Sequence, residues 1–140
     1  LIENGPQRIA EQGVSPMLAG DAASREVGIQ VSEVRPGHAV ARMQVSAVMI
    51  NGHGYSHGGF IFLLADTAFA AACNTHGMVT VARSADIVFV APVREGDELE
   101  ATAQERSRAG RNGICDVTVR RGDEVIAEFR GQSRELGKPI

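Results

Sequence analysis

Asn51-Gly52-His53-Gly54-Tyr55-Ser56-His57-Gly58-Gly59 leads directly into Phe60-Ile61-Phe62-Leu63-Leu64-Ala65-Asp66-Thr67-Ala68-Phe69-Ala70-Ala71-Ala72-Cys73, and that run ends in Asn74-Thr75-His76-Gly77. The first part is dense in glycine and reads as a loop. The run from Phe60 to Cys73 is too long for an ordinary strand and rich in Leu, Ala and Phe, so it predicts one long helix. Gly77 is expected to stop that helix in the left-handed conformation, with His76 near the negative end of the dipole.

Asp66 is the only charged side chain between Phe60 and Cys73. Phe62, Leu63 and Ala70 lie three or four positions away, so apolar residues surround it on every face of a helix. An isolated carboxylate in such a place is costly unless it is paired or has a chemical role. It is either an aspartate that bonds neighbouring backbone and serves packing, or a reacting group, because perturbed acids gather at active sites.

Gly58 and Gly59 fall where the helix begins. Unpaired N–H donors and the positive end of the dipole meet there, and the lack of a Cβ lets another oxygen come close. This is an oxyanion site for acyl transfer, or else only a tight turn. Gly58 and Asp66 are eight positions apart, about 12 Å along a helix axis. They cannot flank one carbonyl within a subunit. Two such helices packed antiparallel about a two-fold would bring Asp66 of one beside Gly58 of the other. The expectation is a homodimer with two active sites, each shared between subunits.

The 140 residues suffice for one domain, taken as 1–140 with a short helical segment over about 1–26. A net charge of −3 gives no basic footprint for nucleic acid, and 44% hydrophobic residues exclude wholesale disorder. Asp66 interrupts the longest apolar run, so no membrane partner is expected. Cys73 and Cys115 lie in apolar contexts and are expected to be buried free thiols in a cytoplasmic protein.

Along the chain, Ser15-Pro16 reads as a cap followed by proline at a first helical position, and Asp21 as the cap of another short turn. Ile9, Val14, Met17 and Leu18 are expected over an edge of the core. Val27, Ile29 and Val31 alternate as a strand, Arg35-Pro36-Gly37 turns, and residues 39–46 alternate again with Ala41, Met43 and Val45 on one face. After Gly77, strands are expected over 79–90, 98–107, 114–120 and 125–133. Turns at Arg94-Glu95-Gly96-Asp97, Ala109-Gly110-Arg111-Asn112-Gly113 and Arg121-Gly122-Asp123 separate them, and a frayed tail follows from Glu135. This order is that of an α+β fold, with the helix across one face of an antiparallel sheet.

The arrangement resembles the hotdog fold, a curved antiparallel sheet of five to six strands wrapped around one long helix. Asn51-Gly52, His57-Gly58-Gly59 and Leu64-Ala65-Asp66-Thr67-Ala68, with Pro92 and Gly96-Asp97 downstream, are similar to the acyl-CoA thioesterases of the phenylacetate-degradation (PaaI) type. The likeness covers roughly residues 27–134. It implies hydrolysis of a phenylacetyl-CoA or hydroxyphenylacetyl-CoA thioester without a cofactor. By position, Asp66 would be general base or nucleophile, and the N–H of Gly58 or Gly59 would polarise the carbonyl. Asn51 would place water or the thioester, His57 would orient the loop or touch the thioester, and Thr67 would support Asp66 or the water. Substrate contacts would come from Gly59, Tyr55, Arg83, Ser84 and Arg111, with Arg94 and Arg108 as further phosphate candidates. Ala91 stands where relatives often carry arginine before Pro92. The likeness also implies dimers that pair into homotetramers.

Other chemistries read less well. His53 and His57 are four apart but flank glycines in a loop with no third ligand near, so no metal site is expected. Ser56 beside His57 does not align a nucleophile and base. Hydratases of the same fold space their acid and histidine differently. A non-catalytic acyl-CoA-binding module would need the fold but not Asp66, and a thioesterase for aliphatic chains would share every residue named.

Overall fold

The computed structural model describes residues 5–140. The run from Gly58 to Cys73 forms α3, and the strand-forming segments around it build a six-stranded antiparallel sheet in the order β1-β2-β4-β5-β6-β3. The strands are β1 (Gln30–Arg35), β2 (His38–Gln44), β3 (Met78–Phe89), β4 (Glu98–Ala109), β5 (Asn112–Arg121) and β6 (Glu124–Pro139). Two helices, α1 (Gly5–Ala19) and α2 (Ala22–Glu26), precede the sheet.

α3 touches all six strands. That explains its composition: Ile61, Leu64, Ala65, Ala68, Phe69, Ala71 and Ala72 are all buried, so the helix is apolar nearly all round. Small side chains let it lie close. Ala39 pairs with Ala103 and Ala41 with Ala101 across β2 and β4, and all four are fully buried. Met43, Leu99, Val117, Val119, Ala127 and Phe129 complete the inner face. On β6, a Cβ at Gly131 would stand 2.6 Å from the Phe69 ring, so only glycine admits that aromatic.

Several expectations need correction. The helix stops at Cys73, not at Gly77: Asn74 caps it, its amide donating to Ala70 O and Thr80 O while its oxygen accepts Thr80 N–H. This side chain ties the helix end to β3 and satisfies the terminal carbonyl earlier than a glycine stop would. Gly77 does adopt positive φ (82°), but in the turn that enters β3. His76 leaves the helix end and bonds Glu105 through Nε2.

At the N-terminus, α1 is one fifteen-residue helix, and Pro16 lies inside it rather than opening a helix. Ala10, Gly13 and Val14 are buried, and α1 packs on β1. That packing outweighs the one backbone bond a proline removes. Residues 1–4 of the expected 1–26 segment lie outside the described residues. β1 begins at Gln30, because Val27 caps α2 and Gly28 turns with φ 79°. The tail is not frayed: Met78 pairs with Pro139, and Ile140 N–H bonds Gly77 O at 3.0 Å. Edge strand β3 supplies the ladder that orders it.

That edge exposes apolar side chains beside Arg83, Ser84 and Asp86. Val81, Val88 and Phe89 on β3, and Val90 just after it, are exposed. The two cysteines are free and buried as expected.

Candidate active site

The loop before α3 is shaped by Asn51. Its side-chain oxygen accepts the N–H of His53 (2.9 Å) and of Tyr55 (3.2 Å), and its own N–H bonds Tyr55 O at 2.7 Å. The asparagine therefore folds the loop on itself, as Asn does in turns, and its Nδ2 group has no acceptor among the described residues. Gly54 takes a positive φ at the tip. Further along, Ser56 N–H bonds Val93 O and His57 N–H bonds Met49 O, both at 2.7 Å, pinning the loop to the segments on either side.

Those bonds deliver His57 as the N-cap of α3. Its side chain is exposed and offers no capping acceptor. The N–H groups of Gly58 and Gly59 therefore have no acceptor among the described residues, at the positive end of a sixteen-residue helix. The two glycines differ. A Cβ at Gly58 would stand 2.7 Å from Cζ of Phe89, whereas one at Gly59 would meet nothing within 4 Å. Phe89, Tyr55, Ser56, Ile61 and Val90 to Val93 line a largely apolar groove of about 420 Å³ that opens at Gly58.

Asp66 lies two turns further along α3 and is half-buried. Burial holds its carboxyl above the usual carboxylate range, and the negative charge of Asp21 pushes it further the same way. No cation or donor contacts it among the described residues, so the packing alternative has no bond to rest on. Thr67, the next residue, is buried. Its hydroxyl lies 2.8 Å from Ser24 Oγ and 2.9 Å from Leu63 O, turned to α2 rather than to Asp66.

Of the expected substrate contacts, Tyr55 is at the groove, with Arg94 over its ring at 4.7 Å and bonded to its hydroxyl at 3.3 Å. Arg83 and Arg134 both donate to Asn112 Oδ1, at 3.2 and 3.3 Å. Arg111 packs its guanidinium against Gly137 of β6, and Arg108 faces Glu105 and Glu135. Ser84 is exposed on β3 opposite Gln132. Arg83 and Ser84 thus lie on β3 before Phe89, and Arg111 in the β4–β5 turn, whereas the groove that Tyr55 lines meets β3 at Phe89. Phe89 is a site residue the sequence reading missed, although an apolar Val88-Phe89-Val90 run that breaks alternation was its signal. Ser24 is another, although it sits three residues after Asp21, the spacing of a cap and the N–H it binds. Among the described residues, no three His, Cys, Asp or Glu side chains gather as metal ligands.

Residues 53–128 match the thioesterase superfamily. The chain is 42% identical over 132 residues to the acyl-coenzyme A thioesterase PaaI of Escherichia coli K12, covering 94% of each. The solved structure of E. coli PaaI, from the phenylacetic acid degradation operon, superposes with a TM-score of 0.92 at 40% identity, covering 95% of this chain and 97% of that one. The structure of a point mutant of the phenylacetic acid degradation protein PaaI from Thermus thermophilus gives a TM-score of 0.80 at 35% identity, covering 83% of this chain and 100% of the other. Together with a six-stranded sheet around a helix that carries a single, half-buried acid, these matches are decisive: the chain has the hotdog fold, belongs to the thioesterase superfamily and is a thioester hydrolase.

Proposed function

We propose that the protein hydrolyses aryl acyl-CoA thioesters, phenylacetyl-CoA or its ring-hydroxylated forms, to the free acid and CoA. The observation that carries the reading is the lone carboxylate of Asp66, held above the usual carboxylate range inside an apolar helix whose N-terminal glycines keep unpaired N–H groups. One feature supplies a base or nucleophile, the other donors for the developing oxyanion. The groove at Gly58 supports an aryl substrate, because Phe89, Tyr55, Ile61 and Pro92 offer flat and branched apolar surface. The name of the E. coli relative supports the acyl-CoA class.

In this reading the thioester carbonyl accepts the N–H of Gly58, with Gly59 beside it. Asp66 of the partner subunit takes a proton from water as the water oxygen attacks, or attacks itself to form a mixed anhydride that water then hydrolyses. The C–S bond breaks in either case and CoA leaves as thiolate. The amide of Asn51 and the ring of His57 hold water or the thioester in this reading, Thr67 supports the turn that carries Asp66, and Ser84, Arg83 and Arg111 remain proposed contacts for the CoA arm. The homodimer this requires is supported by β3, a twelve-residue edge strand with exposed Val81, Val88 and Phe89, which suits antiparallel pairing with a second copy about a two-fold. Pairing of dimers into a homotetramer belongs to the same proposal.

The test is free-thiol release across aryl and alkyl acyl-CoAs with the wild type and Asp66→Ala. Phenylacetyl-CoA should rank first, and Asp66→Ala should lose nearly all turnover. Equal or faster hydrolysis of medium aliphatic chains overturns the aryl assignment, and absence of turnover on every thioester overturns the acyl-CoA reading. Single turnover in ¹⁸O water separates the two roles of Asp66: label in the side chain marks a nucleophile, and label in the product alone marks a base.

A further inference from the structure

One hydrogen-bonded chain outside the loop reaches α3 at the residue next to Asp66. Asp21 caps α2: its Oδ1 accepts Ser24 N–H at 3.0 Å and its Oδ2 accepts the Ser24 hydroxyl at 2.6 Å. Ser24 Oγ then lies 2.8 Å from Thr67 Oγ1, which lies 2.9 Å from Leu63 O. Ser24 is 4% and Thr67 5% exposed. Among the described residues, the Ser24–Thr67 contact is the one side-chain hydrogen bond joining the N-terminal arm to α3.

The protons in this chain are countable. Three oxygen-to-oxygen contacts share two hydroxyl hydrogens. The ionised Asp21 claims the Ser24 proton, because a hydroxyl–carboxylate bond of this length is charge-assisted. Ser24 Oγ is then left to accept, and the single Thr67 hydrogen is shared between Ser24 Oγ and Leu63 O as a three-centre bond. The carboxylate of Asp21 thus orients a hydroxyl one residue from Asp66 through a buried relay. Burying two hydroxyls is unfavourable unless each is bonded, so the relay fixes the relative position of α2 and the middle of α3.

We propose that Asp21 and Ser24 are positioning residues for the chemistry of Asp66: through Thr67 they clamp the helix turn that presents it, and they keep a second carboxylate close to the first. The inference rests on the reading of Asp66 as the reacting group. The electrostatic side is consistent. Besides burial, the negative charge of Asp21 raises the Asp66 carboxyl, and like charge makes Asp66 harder to ionise and a stronger base once ionised.

The experiment compares Asp21→Asn, which keeps the shape and the Oδ1 acceptor, with Ser24→Ala and Ser24→Thr. Three quantities are read: kcat and KM for the best acyl-CoA of the screen, the pH profile of kcat/KM, and the titration of the Asp66 carboxyl by ¹³C NMR. Asp21→Asn should move the Asp66 titration, and with it the acid limb of the profile, to lower pH. Ser24→Ala should lower kcat by about fivefold, the size of one net hydrogen bond, with KM held, and Ser24→Thr should restore it. An unmoved Asp66 titration in Asp21→Asn overturns the inference, as does a Ser24→Ala variant that loses thermal stability while kcat per folded molecule is unchanged. Failure of the underlying reading looks different: Asp66→Ala would stay active, while the NMR titration would still report whether Asp21 acts on Asp66.

Discussion

Gly58→Ala separates the two reasons for a glycine at the start of α3. An added Cβ would stand 2.7 Å from Phe89 Cζ, with Cε2 at 3.1 Å and Cε1 at 3.2 Å. Carbon atoms settle at about 3.5–4.0 Å, so the ring must withdraw by about 1 Å. Phe89 is 50% exposed on an edge strand and can swing outward. Gly58 has no positive φ, so alanine fits the backbone and gains about 0.4–1 kcal/mol from the unfolded side. The two effects offset, and stability should stay within about 1 kcal/mol of wild type. Activity should not survive so well, because the methyl crowds the N–H that polarises the carbonyl. Losing one oxyanion donor lowers kcat by about 10²–10³. Thermal melts and thiol-release kinetics measure both. Phe89→Ala is the control for ring displacement alone and should keep kcat within about tenfold of wild type while raising KM, as loss of ground-state binding does. Gly58→Ala with wild-type Tm and kcat within about threefold would refute the oxyanion role and leave close packing as the only reason for the glycine.

Asp66→Asn should lower kcat by about 10²–10⁴-fold yet stabilise the fold at neutral pH. Its folded-state carboxyl is raised, so the ionised form is destabilising: wild-type stability falls as pH rises from about 3.9 through the raised value, and the gain of the variant should vanish as pH drops back through that window in pH-dependent melts. Gly131→Ala should cost about 1–3 kcal/mol, lowering Tm by roughly 3–10 °C, because three atoms of the buried Phe69 ring lie within 2.8 Å of the new Cβ; calorimetry checks it. Cys73 and Cys115 should fail to react with a thiol reagent in the native protein and react fully on unfolding, since both are buried and the Cys73 contact with burial pushes the Cys115 thiol well up.

The sheet was legible because its strands alternate so plainly. Ala41 and Met43, then Leu99, Ala101 and Ala103, point inward as their spacing dictates. α3 was legible for a different reason: a run apolar on every face can be stable in water only if a sheet wraps it. What escaped was set by tertiary contacts. Pro16 sits inside α1 because buried Ala10, Gly13 and Val14 outweigh the local signal. Gly77 did not stop α3 because Asn74 could bond both the helix and Thr80, a partner six residues on. The tail became strand because β3 offered a ladder that no local pattern in Glu135-Leu136-Gly137 announces. In the site, Asp66, Gly58 and Asn51 stood out by type and neighbours. The aim of Thr67 was not legible because its partner, Ser24, lies 43 residues away in sequence.

Subunit complementation addresses the shared site most directly. Asp66→Ala and Gly58→Val should each be inactive alone. Mixed at equal amounts after dissociation, about half of the dimers are hybrids, and each hybrid carries one site with both residues intact, so activity should return to about a quarter of wild type. Mixtures no more active than either parent, with hybrid dimers demonstrated by native mass spectrometry, would contradict a carboxylate acting across the two-fold.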